Sequence, residues 1–292
     1  MFLLEDRIII EVFGKDSQNF LQGFITNDIK SLNGHNLIYS AFLNASGRYL
    51  ADFFIFSKDE KIFIDCQKNS ADEIIKKLNI YKLKSDVSLK INKDIVTIFN
   101  QQNIGMIDPR LNNFGNRIYC DISELEKFNC DKLIKYHDLR INHKIPEGHY
   151  DLIHDKSFIA EYGFDNLNAV SYNKGCYVGQ ETTARNHYRS VVRKKIFYFE
   201  INNCSLQLIN FLSHYDNLNS LQIDYENLKL RGYFDQAMIE DDNNKEIGMI
   251  LSNIYCNLSN KIKGIALIKI DENNQIISPS INFLNNEILI TN

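Results

Sequence analysis

One cysteine of this chain lies in a context that could give its thiol chemistry. Cys176 has Gly175 before it and Gly179 three residues after it, and Lys174 lies two residues upstream. Residues 179–185 read as a turn that enters a short helix, so the thiol precedes a helix N-terminus. A nearby ammonium group and a helix N-terminus both favour the thiolate. These features favour a reactive or ligand-binding thiol at Cys176.

The alternative is a structural cysteine in a tight turn, because free cysteine is among the most buried residue types. The bracketing glycines favour the reactive thiol, since glycine lets another group approach the backbone closely. We expect Cys176 to alkylate faster than the other five cysteines. None of the six forms a Cys-x-x-Cys pair, so the sequence predicts no zinc site and no metal site of its own.

A basic stretch follows the cysteine segment. Its cations are Arg185, Arg189, Arg193, Lys194 and Lys195, with His187 and Tyr188 interleaved. The stretch is either a solvated face or a site for carboxylates or phosphates, such as a folate glutamate tail or an RNA backbone. The whole chain has 33 basic and 37 acidic residues and a net charge of −4, so we expect no direct nucleic-acid binding.

The first hundred residues read as an α+β arrangement that could position this segment. The hydrophobic pattern predicts strands over 7–13, 37–43, 49–56, 61–66, 87–91 and 95–99. It predicts a short helix after Asp16 and a longer one that starts with a capping box at Ser70 and Glu73. That longer helix would bury Ile74, Ile75, Leu78 and Tyr81 on one face.

In the second half of the chain, the hydrophobic pattern changes from helical to β-type. Residues 131–143 read as an amphipathic helix that Pro146 and Gly148 end. The β-rich runs that follow predict a small barrel or sandwich and cover 195–201, 230–240, 246–252, 262–270 and 286–291. Residues 202–229 show no clear pattern. We therefore predict two domains, residues 1–192 and residues 193–292.

The chain begins Met-Phe-Leu-Leu-Glu-Asp-Arg, which resembles neither a signal peptide nor an Arg-rich transit peptide. No apolar run approaches the roughly 20 residues that span a bilayer. The sequence thus predicts a cytoplasmic protein without membrane contact.

Residues 174–181, Lys-Gly-Cys-Tyr-Val-Gly-Gln-Glu, resemble the signature of the YgfZ family, relatives of the glycine-cleavage aminomethyltransferase (T-protein, GcvT) and of a mitochondrial iron–sulfur assembly factor. Other stretches resemble the family in the same order along the chain. They are 20–28, 41–54 with Gly47 and Arg48, 108–110, 145–148, 183–185, 248–252 and 264–268.

The resemblance implies two interleaved α+β units of ferredoxin-like or GcvT-like type, followed by a C-terminal β-barrel. It implies binding of tetrahydrofolate or a derivative, a transient iron–sulfur cluster, and iron–sulfur assembly proteins or client enzymes as partners, some of which modify tRNA. Lys174 and Cys176 are then the functional pair. The implied cofactor-binding residues are Asn27, Asp28, Arg48, Gly175, Tyr177, Gly179, Gln180, Glu181 and Arg185.

A folate-dependent aminomethyl or one-carbon transferase is the second hypothesis. The aminomethyltransferases carry an Arg-Leu-Glu-Ala-Gly stretch that best matches residues 140–144 here, with Asn142 in place of the glutamate. A carboxylate can accept two N–H bonds from a pterin, whereas an amide oxygen is a single neutral acceptor. The sequence therefore favours an assembly or maintenance factor over a transferase.

Overall fold

The computed structural model describes residues 1–59, 61–188, 192–208, 210–211, 223–225, 228–231, 238–256, 258–278, 282–284 and 286–291. The chain divides into two units. The first contains residues 1–133, 153–160 and 164–190, and the second contains 134–152, 161–163 and 191–292. The division at 1–192 and 193–292 stays a prediction, and the structure adds that residues 134–152 group with the C-terminal part.

The described strands are β1 Phe2–Leu3, β2 Arg7–Phe13, β3 Ile38–Leu43, β4 Tyr49–Lys58, β5 Lys61–Gln67, β6 Ser88–Asn92, β7 Ile95–Asn100, β8 Met106–Ile107, β9 Asn116–Asp121, β10 Lys194–Asn202, β11 Ile223–Tyr225, β12 Leu228–Arg231, β13 Met238–Glu240, β14 Glu246–Cys256, β15 Lys261–Lys269, β16 Asn282–Phe283, β17 Asn286–Glu287 and β18 Leu289–Thr291. The α-helices are α1 Ser17–Gln22, α2 Lys68–Tyr81, α3 Leu133–Asn142, α4 Gly148–Asp151 and α5 Gln180–Tyr188. Short 3-10 helices cover Ile29–Ser31, Ile122–Lys127 and Ile159–Tyr162.

The first unit contains two antiparallel sheets. One has the strand order β3-β4-β5-β2-β6 and the other has the order β1-β7-β9-β8. Strand β4 is buried on both faces, which explains its continuous apolar sequence. Phe53 and Ile55 join the core that includes residues of α1 and α2. The alternate residues Phe54 and Phe56 face β9, where the Phe56 ring stacks on Tyr119 at 4.0 Å between centroids.

Helix α2 shows where local sequence signals failed. Ile74 and Leu78 are buried as predicted, but Tyr81 is 49% exposed. The predicted start at the Ser70 capping box is wrong, because α2 begins at Lys68. Strand β5 runs directly into the helix, and the Lys68 amide bonds to the Asp6 carbonyl at 2.9 Å. This long-range backbone contact lets the helix begin before the local capping signal.

The second unit is built on one large antiparallel sheet. Its main path is β17-β16-β13-β14-β15-β10-β18, with β12 also pairing β14 and β11 pairing β12. The two ends of this path, β17 and β18, follow each other in the chain, so the sheet curls into a nearly closed barrel. Gly264 permits close packing there, because an added Cβ would meet the Ser252 carbonyl oxygen at 2.6 Å. The predicted α+β class and C-terminal barrel are confirmed.

Helices α3 and α4 also belong to the second unit and connect to its sheet through a buried polar cluster. The Arg140 guanidinium donates to Asp151 at 2.8 Å and to the Ser252 hydroxyl at 2.6 Å. Asp151 in turn accepts the Ser252 amide at 2.7 Å. Arg140 therefore has a structural role within this unit, whereas Asn142 is exposed.

Part of the C-terminal sequence lies outside the described residues, namely 232–237 of the strand predicted over 230–240, and 209, 212–222, 226 and 227 in the stretch 202–229. In the part of the chain that the structure covers, every helix is too short or too polar to cross a membrane.

Candidate functional site

Cys176 lies on the loop that leads into α5, and its side chain is exposed. Cys66, Cys120 and Cys204 are buried, and the remaining two cysteines are partly exposed. The exposed thiol is accessible to reagents and partners, which a cysteine in a packed turn would not be. Its role in catalysis stays a prediction.

Lys174 anchors this loop. Its ammonium group donates to the backbone carbonyls of Gln22 at 2.8 Å, Ile25 at 2.6 Å and Asn27 at 2.8 Å. An ammonium group has three donors, so these three bonds use all of them. Burial lowers the pKa of Lys174 to about 8, although the charge of Asp28 acts in the opposite direction. The geometry thus gives Lys174 the role of positioning the loop that carries Cys176. Its catalytic role stays a prediction.

Two glycines allow the hairpin after β3 to meet the start of α5. Gly47 and Gly179 have φ values of +79° and +85°, in the region that favours glycine. An added Cβ at Gly179 would lie 2.6 Å from the Asn44 carbonyl oxygen, and one at Gly47 would lie 2.7 Å from the Cβ of Thr182. Thr182 also donates to the Ser46 carbonyl at 3.0 Å. Gly179 is therefore needed for packing.

Gly175 differs from Gly179. An added Cβ there would meet no atom of the described residues within 4 Å, and the position is exposed. The backbone next to Cys176 thus faces open space at Gly175.

Tyr177 and Gln180 close the turn between the thiol and α5. The Tyr177 amide donates to Gln180 Oε1 at 3.1 Å, and the Gln180 amide donates to the Tyr177 carbonyl at 3.2 Å. The Tyr177 ring is buried, with the Lys174 ammonium 4.9 Å from its centroid. Burial raises the pKa of Tyr177 to about 12. Next in the chain, the Val178 amide bonds to the Gly23 carbonyl at 3.0 Å.

Asn27 and Asp28 stabilise the turn that Lys174 binds. The side-chain Nδ2 of Asn27 donates to the backbone carbonyls of Tyr39 at 2.8 Å and Asn168 at 2.7 Å. Asp28 Oδ1 accepts from Gln22 Nε2 at 2.9 Å. The sequence analysis missed Gln22, and nothing local in the sequence indicates that its carbonyl and side chain both serve this turn.

The three remaining charged candidates are Arg48 on the hairpin after β3 and Glu181 and Arg185 on α5. Arg48 donates to the Lys156 carbonyl at 2.6 Å, and its guanidinium lies 4.6 Å from the centre of the Phe158 ring. Glu181 and Arg185 are exposed on α5. Arg189, another member of the predicted basic stretch, lies outside the described residues.

A second polar group beside α5 was not predicted. Asp165 accepts from the Tyr172 hydroxyl at 2.6 Å and lies 3.2 Å from His187 Nδ1. The Tyr172 and His187 rings stack with centroids 3.7 Å apart. Burial and the nearby Asp165 raise the pKa of Tyr172. These contacts hold the C-terminal half of α5 against the loop that precedes Cys176.

A fully buried charge network connects the two sheets of the first unit. Arg117 bonds to Asp65 and to Asp108, both at 3.1 Å, and its guanidinium lies 3.7 Å from the Phe54 ring centre. Arg110 pairs with Asp108 at 2.8 Å. Burial alone would raise the pKa of Asp108, but the two arginines outweigh it and lower that pKa. The sequence analysis quoted residues 108–110 as a motif without giving them this structural role.

Across the described residues, no three or more His, Cys, Asp and Glu side chains are grouped so that they could hold a metal ion.

No protein-family model matches the chain. Among curated proteins, it is 32% identical over 226 residues to the mitochondrial iron–sulfur cluster assembly factor IBA57 homolog of Neurospora crassa, covering 66% of this chain and 52% of that protein. It is also 32% identical over 215 residues to the homolog from Pyricularia oryzae, covering 66% and 55%. The chain thus spans about half the length of these relatives.

The fold is similar to that of a solved structure, the glycine cleavage system aminomethyltransferase T from Bartonella henselae. The TM-score is 0.68 with 12% sequence identity, covering 100% of this chain and 84% of that chain. At this identity the likeness concerns the fold alone.

The expectation of a cytoplasmic protein is contradicted. The IBA57 homologs of Neurospora crassa, Pyricularia oryzae and Mycosarcoma maydis are all named as mitochondrial proteins, and they point to the mitochondrion. The residues at the chain's start did not reveal this.

The chain is therefore similar in sequence to the IBA57 iron–sulfur cluster assembly factors over about half of their length, and its fold is similar to that of the aminomethyltransferase.

Proposed function

We propose that this chain is a mitochondrial factor for the assembly or repair of iron–sulfur proteins, which binds tetrahydrofolate or a derivative and acts through Cys176. The observation that carries the proposal is an exposed thiol on an anchored loop. The IBA57 homologs, which are named as iron–sulfur cluster assembly factors, support the role.

The loop geometry suits a thiol that must meet a partner in one fixed orientation. Lys174 attaches the loop to the turn over residues 22–27, and Gly179 packs its end against the hairpin. Thiolates are the usual ligands of iron–sulfur clusters, which take four in most proteins. One thiolate fills one position, so we propose a transient cluster whose other ligands come from an assembly protein or a client enzyme.

Folate binding is the second part of the proposal. A folate carries glutamate carboxylates, which bind arginine through paired, charge-assisted hydrogen bonds. Arg48 on the hairpin and Arg185 on α5 lie on two elements that pack together through Gly47 and Thr182. They are the cations that we propose for the glutamate end. The client enzymes in this proposal include iron–sulfur enzymes that modify tRNA.

Complementation tests the role of the thiol. In cells that lack this protein, expression of the Cys176→Ser variant should leave iron–sulfur enzyme activities at the level of the deletion strain, with variant protein present in normal amount. The matched control is Cys256→Ser, a partly exposed cysteine in the other unit, which should restore activity. Full restoration by Cys176→Ser would exclude a functional thiol.

Calorimetric titration with tetrahydrofolate tests the ligand. Binding that weakens about tenfold in Arg185→Glu is expected if the arginine contacts a carboxylate. Formation of methylene-tetrahydrofolate from an aminomethyl donor at enzymatic rates would instead identify the chain as a transferase.

A further inference from the structure

An apolar surface with a basic rim lies at the end of α2 and in the loop that follows. Leu83 is 87% exposed, Ile80 63% and Tyr81 49%. The segment 76–84 reads Lys-Lys-Leu-Asn-Ile-Tyr-Lys-Leu-Lys, with four lysines and no acidic residue. Single exposed apolar side chains are normal on a protein surface, but neighbouring ones mark interaction sites.

This surface is concave. Leu83 and Phe20 both line an open cavity of about 920 Å³, together with Lys84, Ser85, Asn19 of α1 and Asp16 just before that helix. The ring of Tyr81 lies 5.0 Å from that of Phe24, which in turn lies 5.0 Å from that of Phe20. These ring contacts extend the apolar surface from Phe20 in the cavity to Phe24 and Tyr81, and we call the cavity together with these adjoining rings the recess.

The backbone at Leu83 provides a second, independent observation. Its φ is +43°, in the left-handed region that glycine and asparagine adopt most readily. An exposed leucine with a positive φ has a strained backbone. Backbone strain that persists at a protein surface points to a functional use of the side chain. The side chain contributes little to the core of the unit, because it is almost fully exposed.

The recess also adjoins the loop that carries Cys176. Phe24 lies in the turn whose carbonyls at Gln22 and Ile25 accept the Lys174 ammonium. The neighbouring Gly23 carbonyl accepts the Val178 amide. A molecule seated on Tyr81 and Phe24 would therefore contact the turn to which the thiol loop is attached.

We propose that this recess, formed by the cavity-lining residues Phe20 and Leu83 and by the adjoining rings of Phe24 and Tyr81, docks an acidic protein segment that inserts an apolar side chain. The segment belongs to the iron–sulfur protein that meets Cys176, so the proposal rests on the function proposed above. The lysines at 76 and 84 are exposed and supply the complementary charge. The cavity favours a protein anchor over a lipid surface, because a bilayer is flat and Asp16 would face its anionic headgroups.

The probe is a fluorescent helical peptide of about 15 residues with Glu on one face and Leu and Phe on the other. It should bind the full chain, lose affinity with added salt, and bind about tenfold more weakly to Leu83→Asn and to the double variant Lys76→Glu, Lys84→Glu. Asparagine tolerates positive φ, so Leu83→Asn should fold with unchanged or higher melting temperature. The matched control is Leu258→Asn, an 83% exposed leucine in the other unit, which should bind like the wild type.

Bound peptide should also slow alkylation of Cys176 while leaving Cys256 unchanged. Four results would overturn the proposal: no binding of the acidic peptide, equal binding of a peptide with Lys in place of Glu, stronger binding to phosphatidylserine vesicles, or self-association that Leu83→Asn abolishes. Cys176→Ser should retain peptide binding. The two proposals can therefore fail separately. Restoration of iron–sulfur enzyme activities by Cys176→Ser would contradict the proposed function, whereas normal peptide binding by Leu83→Asn would contradict the docking surface.

Discussion

The thiols of this chain differ most in their access to solvent. Burial raises the pKa of Cys66 to about 12, which suppresses its thiolate at neutral pH. Burial also raises the pKa of Cys120 and Cys204. A hydrogen bond from Ser259 lowers the pKa of Cys256. We therefore expect Cys256, and not a buried cysteine, to compete with the exposed Cys176 for an alkylating reagent.

With iodoacetamide at about pH 7.5, we expect Cys176 and Cys256 to be alkylated first and Cys66 only on unfolding. Mass spectrometry of quenched samples measures the rate at each site. Denatured protein, in which all six cysteines should react alike, is the control. Labelling of Cys66 in the folded protein as fast as Cys176 would contradict the burial described here.

The two glycines that flank Cys176 should respond differently to an added methyl group. Gly179→Ala must relieve a 2.6 Å contact with the Asn44 carbonyl at a φ of +85°, and should destabilise the first unit by about 1–3 kcal/mol. Gly175→Ala meets open space and should change stability by less than about 0.5 kcal/mol. Thermal unfolding followed by circular dichroism compares the two variants. Equal loss in both would mean that the packing at Gly179 is not as described.

At the scale of elements, the Lys174 ammonium joins two segments 147 to 152 residues apart in the chain. Replacing it leaves three partly buried backbone carbonyls without this donor, which should loosen the contact between the two segments. The planar fork of arginine cannot direct three donors to these carbonyls as an ammonium group does.

We therefore expect Lys174→Met and Lys174→Arg both to increase hydrogen exchange at residues 22–28 and 174–178, with little change in the second unit. Exchange measured by mass spectrometry gives this regional comparison. Lys82→Met is the control, since Lys82 donates to the single carbonyl of Val87. Normal protection at both segments in Lys174→Arg would show that charge alone suffices.

Lys174 also predicts a pH dependence. Its native pKa of about 8 lies below the usual 10.5, so between these values the unfolded chain binds more protons than the folded one. The stability contributed at this position should accordingly rise with pH from about 8 to 10.5. Urea unfolding across that range should show a rising difference between the wild type and Lys174→Met, and a constant difference would contradict the lowered pKa.

On the scale of the whole molecule, the first unit depends on ion pairs that are fully buried. Asp108 and Asp65 pair with Arg117, and removing one partner leaves an uncompensated charge in the interior. Loss of one partner of a buried pair typically destabilises by about 3–5 kcal/mol. Phe54, whose ring lies against the Arg117 guanidinium, joins this network to the aromatic core.

Asp108→Asn should therefore destabilise the protein by about 3–5 kcal/mol at neutral pH. Because the arginines lower the pKa of Asp108, its contribution is present above the ordinary value of 3.8 and is lost as pH falls through the lowered value. The variant should show a weaker acid dependence than the wild type. The chain has no tryptophan, so circular dichroism is the measurement. An unchanged acid transition would exclude this role.

Local patterns determined most elements of this protein. Alternation and apolar runs predicted β2 to β7 within one or two residues, and the Gly-rich signature located Cys176 before α5. These features depend on neighbours in the chain, which is why sequence alone reveals them. The family resemblance came from the same short segments.

Only the tertiary structure decided what the predicted residues contact. The resemblance implies that Lys174 acts with the Cys176 thiol, yet the three donors of Lys174 go to carbonyls of a turn that is distant in the chain. Gly47 packs against Thr182 of α5, which is far away in the chain. Likewise, α2 begins at Lys68, where the backbone amide bonds to the carbonyl of the distant Asp6. Backbone carbonyls have no residue-type signature, so a site held by them becomes visible only when the chain is folded.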